Sequence, residues 1–299
     1  MLGRNITIIG GSGGMGRVFG KYFKQHGFNV TLFARNKNKL KKVAEELDLD
    51  FEINLKKSVE NADIVMISIP IHSTIDMIET IAPLMRENSL IFDIASIKEN
   101  ICKKLDEVHK KYPINSLSLH PMFGPGITNM KNYNIIVIKI GGTEHYNNIV
   151  NELLTIFKLD GLILIETTPK VHDSRIALTL GVPHMFNILF LNLLKRKDEP
   201  LNELTQYTGT TFLLQKVFAE SIIQREMEMF GEIQIENSSF HEILDIFEEL
   251  VREYKFLIKN KDIKSFKKIF TEGLEYSKED NHFGKSYYYF YEFMKILKE

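Results

Sequence analysis

The chain has 299 residues, of which 44% are hydrophobic and 26% charged, with a formal net charge of −1. That length fits two domains, and the balanced charge leaves no basic excess for nucleic acid or an anionic membrane surface. A single cysteine, Cys102, excludes an internal disulfide and suits a reducing cytoplasm, the expected location.

The N-terminus MLGRNITIIGG runs almost directly into a strand pattern, with no room for a signal peptide. Short β-rich runs follow at residues 6–10, 30–34, 50–53, 63–70, 89–94, 116–119, 134–140 and 162–166. The stretches between the early runs, such as GMGRVFGKYFKQHG and NKNKLKKVAEEL, space their apolar residues by three and four. This alternation predicts a doubly wound, mostly parallel sheet covered on both faces. After Glu166 the pattern becomes helical to the C-terminus, with breaks near KRKDEP, YTGTT and DNHFG. Thr168 is the expected N-cap of the first of these helices and Pro169 its first residue. The boundaries are therefore 1–166 for an α/β domain and 167–299 for an all-α domain. The most apolar stretch, residues 176–194, carries Pro183, His184, Asn187 and Asn192, and reads as a buried helix in preference to a membrane span.

The first strand ends in IIGGSGGMG, which contains Gly11-x-Gly13-x-x-Gly16 at the opening of a helix. In that context the motif marks a Rossmann-type dinucleotide site, with Gly11, Ser12, Gly13, Gly14, Met15 and Gly16 lining the pyrophosphate. An acidic residue at the end of the second strand would hold the ribose hydroxyls of NAD; here the sequence is FARNKNK, without one. Arg35 suits the 2′-phosphate of NADP, with NAD the alternative.

Ligands of an open α/β sheet bind beyond the carboxyl ends of its strands. Pro70 ends one strand near the expected nicotinamide position, Asp93 ends another just before Ser96 and Lys98, and His120 ends a third in SLSLHPMFGPG. The prolines and glycines after His120 stiffen its loop, and an imidazole titrating near neutrality can take a proton from a substrate alcohol.

The segments GGSGGMG, VMISIPIHST, FDIASIKENI, LHPMFGPG, KVHD and VPH, in this order and at these separations, resemble the prephenate dehydrogenases over essentially the whole chain. The resemblance implies oxidative decarboxylation of prephenate to 4-hydroxyphenylpyruvate and CO₂ in tyrosine biosynthesis, in a cleft between the two domains. It implies that His120 bonds the C4 hydroxyl, that Ser96 orients His120 and touches substrate, and that His184 lies at the substrate. Pro183 should kink the helix bearing His184. Lys98 either shapes the same loop or is a solvated lysine at a helix start. His172 and Asp173 read as helix-start residues, contact with cofactor or substrate being the alternative.

The resemblance leads one to expect a substrate-carboxylate arginine where this chain has Ser221. Arg225, one helical turn further on, is the substituted choice for binding substrate, with Lys216 and Arg175 as other candidates. Arogenate is accordingly an alternative substrate, and a non-catalytic dinucleotide-sensing regulator is the rival of a different class. The remaining histidines, at 26, 72, 109, 145, 241 and 282, show no metal-ligand spacing. Apolar helices throughout residues 176–297 imply a homodimer through the helical domain.

Overall fold

The computed structural model describes residues 3–225 and 227–297. It divides into two compact units, Met1–Ile176 and Ala177–Glu299.

The first unit is built on eight strands: β1 (Asn5–Ile9), β2 (Asn29–Phe33), β3 (Asp50–Glu52), β4 (Ile64–Ile67), β5 (Leu90–Asp93), β6 (Asn115–Pro121), β7 (Asn134–Gly141) and β8 (Ile163–Glu166). They form one sheet in the order β3-β2-β1-β4-β5-β6-β7-β8. The first six run parallel; β7 pairs antiparallel to β6, and β8 pairs parallel to β7. Chain order reverses between β1 and β4, which places the switch point, and hence the natural ligand crevice, at their carboxyl ends.

Helices α1 (Gly14–Gln25), α2 (Lys37–Leu47), α3 (Leu55–Val59), α4 (Ile71–Ile81), α5 (Glu99–Lys111), α6 (Tyr146–Leu159) and α7 (Pro169–Ile176) complete this unit. Alternating strand residues feed two cores. Ile6, Ile8, Ile64, Met66, Leu90 and Phe92 pack with Phe19, Phe23 and Phe157 of α1 and α6. Their neighbours Ile9, Val65, Ile67 and Ile91 pack with Ile78, Ile101 and Leu105 of α4 and α5. Strands buried on both faces explain the near-continuous apolar runs that the sequence shows.

The sequence places the domain boundary at 166, whereas α7 groups with the first unit. The Asp173 carboxylate of α7 accepts hydrogen bonds from the backbone N–H groups of Lys98 and Glu99, which ties that helix to the start of α5. The expected cap holds: the Val171 N–H lies 3.4 Å from Thr168 Oγ1 and Pro169 opens the helix.

The second unit contains α8 (Val182–Arg196), α9 (Leu201–Gln206), α10 (Thr210–Ile223), α11 (Met227–Ile235), α12 (Ser238–Lys259), α13 (Ile263–Ser277) and α14 (Ser286–Ile296). The three expected breaks fall between helices, and further interruptions follow Ile223, Ile235 and Lys259. Where the sequence predicts a kink at Pro183, the structure has a π-helical turn at Ala177–Gly181, two residues before the proline. The reading of residues 176–194 as a buried helix is corrected. Residues 169–196 are apolar and long enough to cross a membrane, yet only 28% of their most apolar window is buried. The reason is a small core: Ala177, Met185 and Phe240, with Val182, Ile243 and Phe247 against them. Leu178, Phe186, Leu189 and Leu193 remain exposed.

Candidate active site

The glycine turn follows β1 at the switch point. The N–H groups of Gly10 and Gly11 both donate to Phe33 O at the end of β2, and Gly13 N–H donates to Gly10 O at 2.9 Å. Gly10, outside the motif that the sequence singles out, carries the left-handed conformation with φ of 84°. A Cβ there would lie 2.0 Å from Ser68 O, just beyond β4, so only glycine lets the turn close against that strand. The doubled glycine in IIGG is the signal that could have found it.

Among the described residues no side chain caps the N-terminus of α1, whose N-cap is Gly13 and whose first turn lacks an acidic residue. Uncapped N–H groups, a positive helix dipole and a bare backbone suit a pyrophosphate, so Gly11, Ser12, Gly13, Gly14, Met15 and Gly16 fit a dinucleotide. Arg35 is exposed at the end of β2. Next to it Asn36 caps α2, its Oδ1 accepting from Lys39 N–H at 3.0 Å. Pro70 is exposed directly after the β4 end and serves as the N-cap of α4.

The loop after His120 meets the glycine turn. A Cβ on Gly14 would fall 2.9 Å from the ring carbons of Pro125, and the Phe123 ring stacks on Phe19 of α1 at 6.4 Å. His120 and the dinucleotide turn thus belong to one region of the first unit.

His120 is 4% exposed, the penultimate residue of β6, just before Pro121. Its Nδ1 lies 2.9 Å from Nε2 of His172, and His172 Nδ1 lies 2.6 Å from Asp173 Oδ1. Lys98 has no exposed surface. Its Nζ donates to Asp93 Oδ2 at 2.5 Å and to Leu119 O at 2.7 Å. Asp93 also accepts from Ser118 Oγ at 2.5 Å and from Ala95 N–H at 2.8 Å. Burial holds the His120 pKa well below the ordinary 6.5, and the neighbouring His172 and Lys98 push it the same way. Burial also lowers His172, with Asp173 opposing. His120 is therefore a neutral imidazole at pH 7, able to accept a proton.

A model of the prephenate dehydrogenase nucleotide-binding domain matches residues 19–135, and a model of the prephenate dehydrogenase dimerization domain matches residues 168–272. The chain belongs to the prephenate dehydrogenase family. It is 32% identical over 282 residues to a probable arogenate/prephenate dehydrogenase of Methanocaldococcus jannaschii, covering 93% of this chain and 61% of that one. A T-protein of Haemophilus influenzae is 25% identical over 265 residues, covering 87% and 64% respectively. The chain thus spans about three fifths of the length of these curated relatives. Among solved structures, prephenate dehydrogenase from A. aeolicus in complex with hydroxyphenyl propionate and NAD+ has a TM-score of 0.74 at 18% identity, covering 92% of this chain and 99% of that one. Synechocystis arogenate dehydrogenase has a TM-score of 0.68 at 16% identity, with the same coverages of 92% and 99%. These two share the fold.

Against the expectations for this family, two residues need correction. The ring that orients His120 is His172, not Ser96; Ser96 is half-buried in the bend between β5 and α5. Arg225 does not share a helical face with Ser221, because α10 ends at Ile223 and Arg225 lies in the following bend, exposed. Of the other candidate cations, Arg175 is exposed on α7 and Lys216 is half-buried on α10. In the helical unit His184 is half-buried, its ring set edge-on to Phe230 at 4.6 Å. Its Nδ1 is buried without a hydrogen-bond partner among the described residues, and burial pushes its pKa down to about 4.

For Lys98 the sequence leaves a loop-shaping lysine and a solvated helix start side by side; the structure buries it completely. Lys98→Met should destabilise the protein by about 3–5 kcal/mol, since Asp93 would be left as an uncompensated buried charge. Urea unfolding measures this, and Asp93→Asn added to Lys98→Met should recover part of the loss.

Proposed function

We propose that this prephenate dehydrogenase family member oxidatively decarboxylates prephenate to 4-hydroxyphenylpyruvate and CO₂, with NADP as the preferred cofactor. The observation that carries the reading is a buried, neutral His120 at the end of β6, whose following loop packs against the glycine turn. The nicotinamide, when bound, supplies the hydride acceptor. Gly11 to Gly16 would hold the pyrophosphate at the start of α1, and Arg35 would pair with the 2′-phosphate.

His120 accepts the proton of the C4 hydroxyl as hydride leaves that carbon, and loss of the ring carboxylate as CO₂ completes an aromatic ring. Aromatisation favours the products, so the residues mainly position the alcohol and take its proton. Ser96 offers a hydroxyl to the same substrate group. His184, whose Nδ1 has no hydrogen-bond partner among the described residues, is the candidate of the helical unit for a substrate contact. Arogenate is the second reading; it is supported by the double name of the M. jannaschii relative and by Ser221 standing where an arginine is expected.

The helical unit is proposed to pair with a second copy of the chain. Support comes from the exposed Leu178, Phe186, Leu189 and Leu193 and from the dimerization-domain match over residues 168–272.

Mixing the purified protein with prephenate or arogenate, each with NADP or NAD, and following the absorbance of reduced nicotinamide tests the activity. The largest signal should come with prephenate and NADP; no reduction in any combination would remove the dehydrogenase reading. His120→Asn should lower turnover by roughly 10²–10⁴-fold while the dinucleotide still binds. Arg35→Ala should weaken NADP by about tenfold or more, as expected for a lost charge-assisted hydrogen bond, and leave NAD nearly unchanged. Light scattering should give twice the mass of one chain, and Leu189→Glu with Leu193→Glu should give a monomer.

A further inference from the structure

His172 and Asp173 take no part in the chemistry just described, yet they are 1% and 2% exposed and stand in line behind the His120 ring. The positions of the protons follow from the partners. The Asp173 carboxylate accepts from Lys98 N–H at Oδ1 and from Glu99 N–H at Oδ2, both at 2.9 Å. A carboxylate only accepts, so His172 Nδ1, 2.6 Å from Oδ1, carries a hydrogen. Neutral His172 then presents Nε2 as a lone pair. His120 Nδ1 faces that lone pair at 2.9 Å and must be the donor. The neutral His120 ring therefore holds its hydrogen on Nδ1 and leaves Nε2 bare.

We propose that Asp173 and His172 are a positioning pair: they fix His120 in the tautomer whose Nε2 accepts the substrate's hydroxyl proton, and they draw the resulting positive charge towards the Asp173 carboxylate. The proposal rests on the dehydrogenase reading and deepens it. In the step, the substrate O–H breaks and its proton bonds to His120 Nε2. The hydrogen on His120 Nδ1 passes to His172 Nε2. His172 becomes the imidazolium, with its Nδ1–H on Asp173, and His120 is neutral again. The hydride has gone to the nicotinamide dinucleotide, so charge and atoms balance.

The surrounding charges favour this direction. The groups facing the pair are the Lys98 ammonium, the Asp93 carboxylate at the end of β5 and the Asp173 carboxylate on α7. Lys98 opposes positive charge on both rings, whereas Asp173 and Asp93 favour it on His172. A cation left on His120 would face Lys98 without a carboxylate of its own. The arrangement follows the logic of an Asp–His pair that sets a tautomer, with a second imidazole inserted between acid and base.

Asp173→Asn tests it sharply. The asparagine oxygen should occupy the Oδ2 position, where both backbone N–H groups can still reach it, at 2.9 Å from Glu99 and 3.2 Å from Lys98. Its NH₂ would then donate to His172 Nδ1. That flips His172, which would donate from Nε2 to His120 Nδ1 and leave His120 with its hydrogen on Nε2, blocked as a base. Proton–nitrogen correlation spectra of the imidazoles should show Nδ1–H on His120 and His172 in the unaltered protein and Nε2–H on both in Asp173→Asn. Turnover of Asp173→Asn should fall by roughly 10²–10⁴-fold with dinucleotide binding retained. His172→Gln, whose amide oxygen can still accept from His120 Nδ1–H, should keep the His120 tautomer and lose less activity.

An unaltered protein with its His120 hydrogen on Nε2 would overturn the proposal, as would Asp173→Asn with unchanged tautomers and turnover. If Asp173→Asn does not fold, the spectrum of the unaltered protein decides alone. A protein that reduces neither cofactor with either substrate sinks the dehydrogenase reading, while the spectrum still reports the tautomer.

Discussion

A lysine with no exposed surface organises the first unit. Taking an ammonium out of water costs several kcal/mol, and the cost is offset only where its partners are close and fixed. Lys98 meets the Asp93 carboxylate at the end of β5 and the Leu119 carbonyl in β6, while its backbone N–H meets Asp173 of α7. Leu119 is the residue before His120, so the strand that delivers the imidazole is pinned from below by the same ammonium. Asp93 is held in turn by Ser118 and by the Ala95 N–H. A half-satisfied network of this kind would be worse than an apolar core, which explains why its members close on one another.

The network also accounts for the place of α7. A short helix with few apolar residues has little packing to hold it against a sheet. Its Asp173 supplies the cap that α5 lacks, since Lys98 at the N-cap of α5 makes no side-chain capping bond of its own. The same carboxylate serves a helix end and the His172 ring, so its loss is felt in both stability and chemistry.

The glycine turn and the His120 loop depend on close backbone approach. Gly10 lies against Ser68 O and Gly14 against Pro125, so the ends of β1, β4 and β6 converge with little side-chain bulk between them. The helical unit is organised differently. Its core is small and its long helices α12 and α13 bury two residues and none, respectively. Apolar faces of this extent on one chain are consistent with a surface that is covered by a second copy.

The sequence by itself determined the eight strands, the glycine motif after the first of them and the cap at Thr168, because period-two and period-3.6 patterns and turn chemistry are local. It also placed His120, Arg35 and Pro70 at strand ends, since in a parallel sheet the end of a strand is a position in sequence as much as in space. Tertiary structure alone decided which ring touches His120, where Lys98 sends its charge, and that Gly10 carries the left-handed turn. His172 and His120 are 52 residues apart, and Asp173 and Lys98 are 75 apart. No periodicity spans such distances. Ser96 was assigned to His120 from the family resemblance and Arg225 from its nearness in sequence to Ser221, and the bend after β5 and the end of α10 put each elsewhere. Exposure of the 176–194 helix was likewise invisible in its composition: an apolar helix has the same residues whether its own chain or another surface covers it, and only the packing around it tells the two apart.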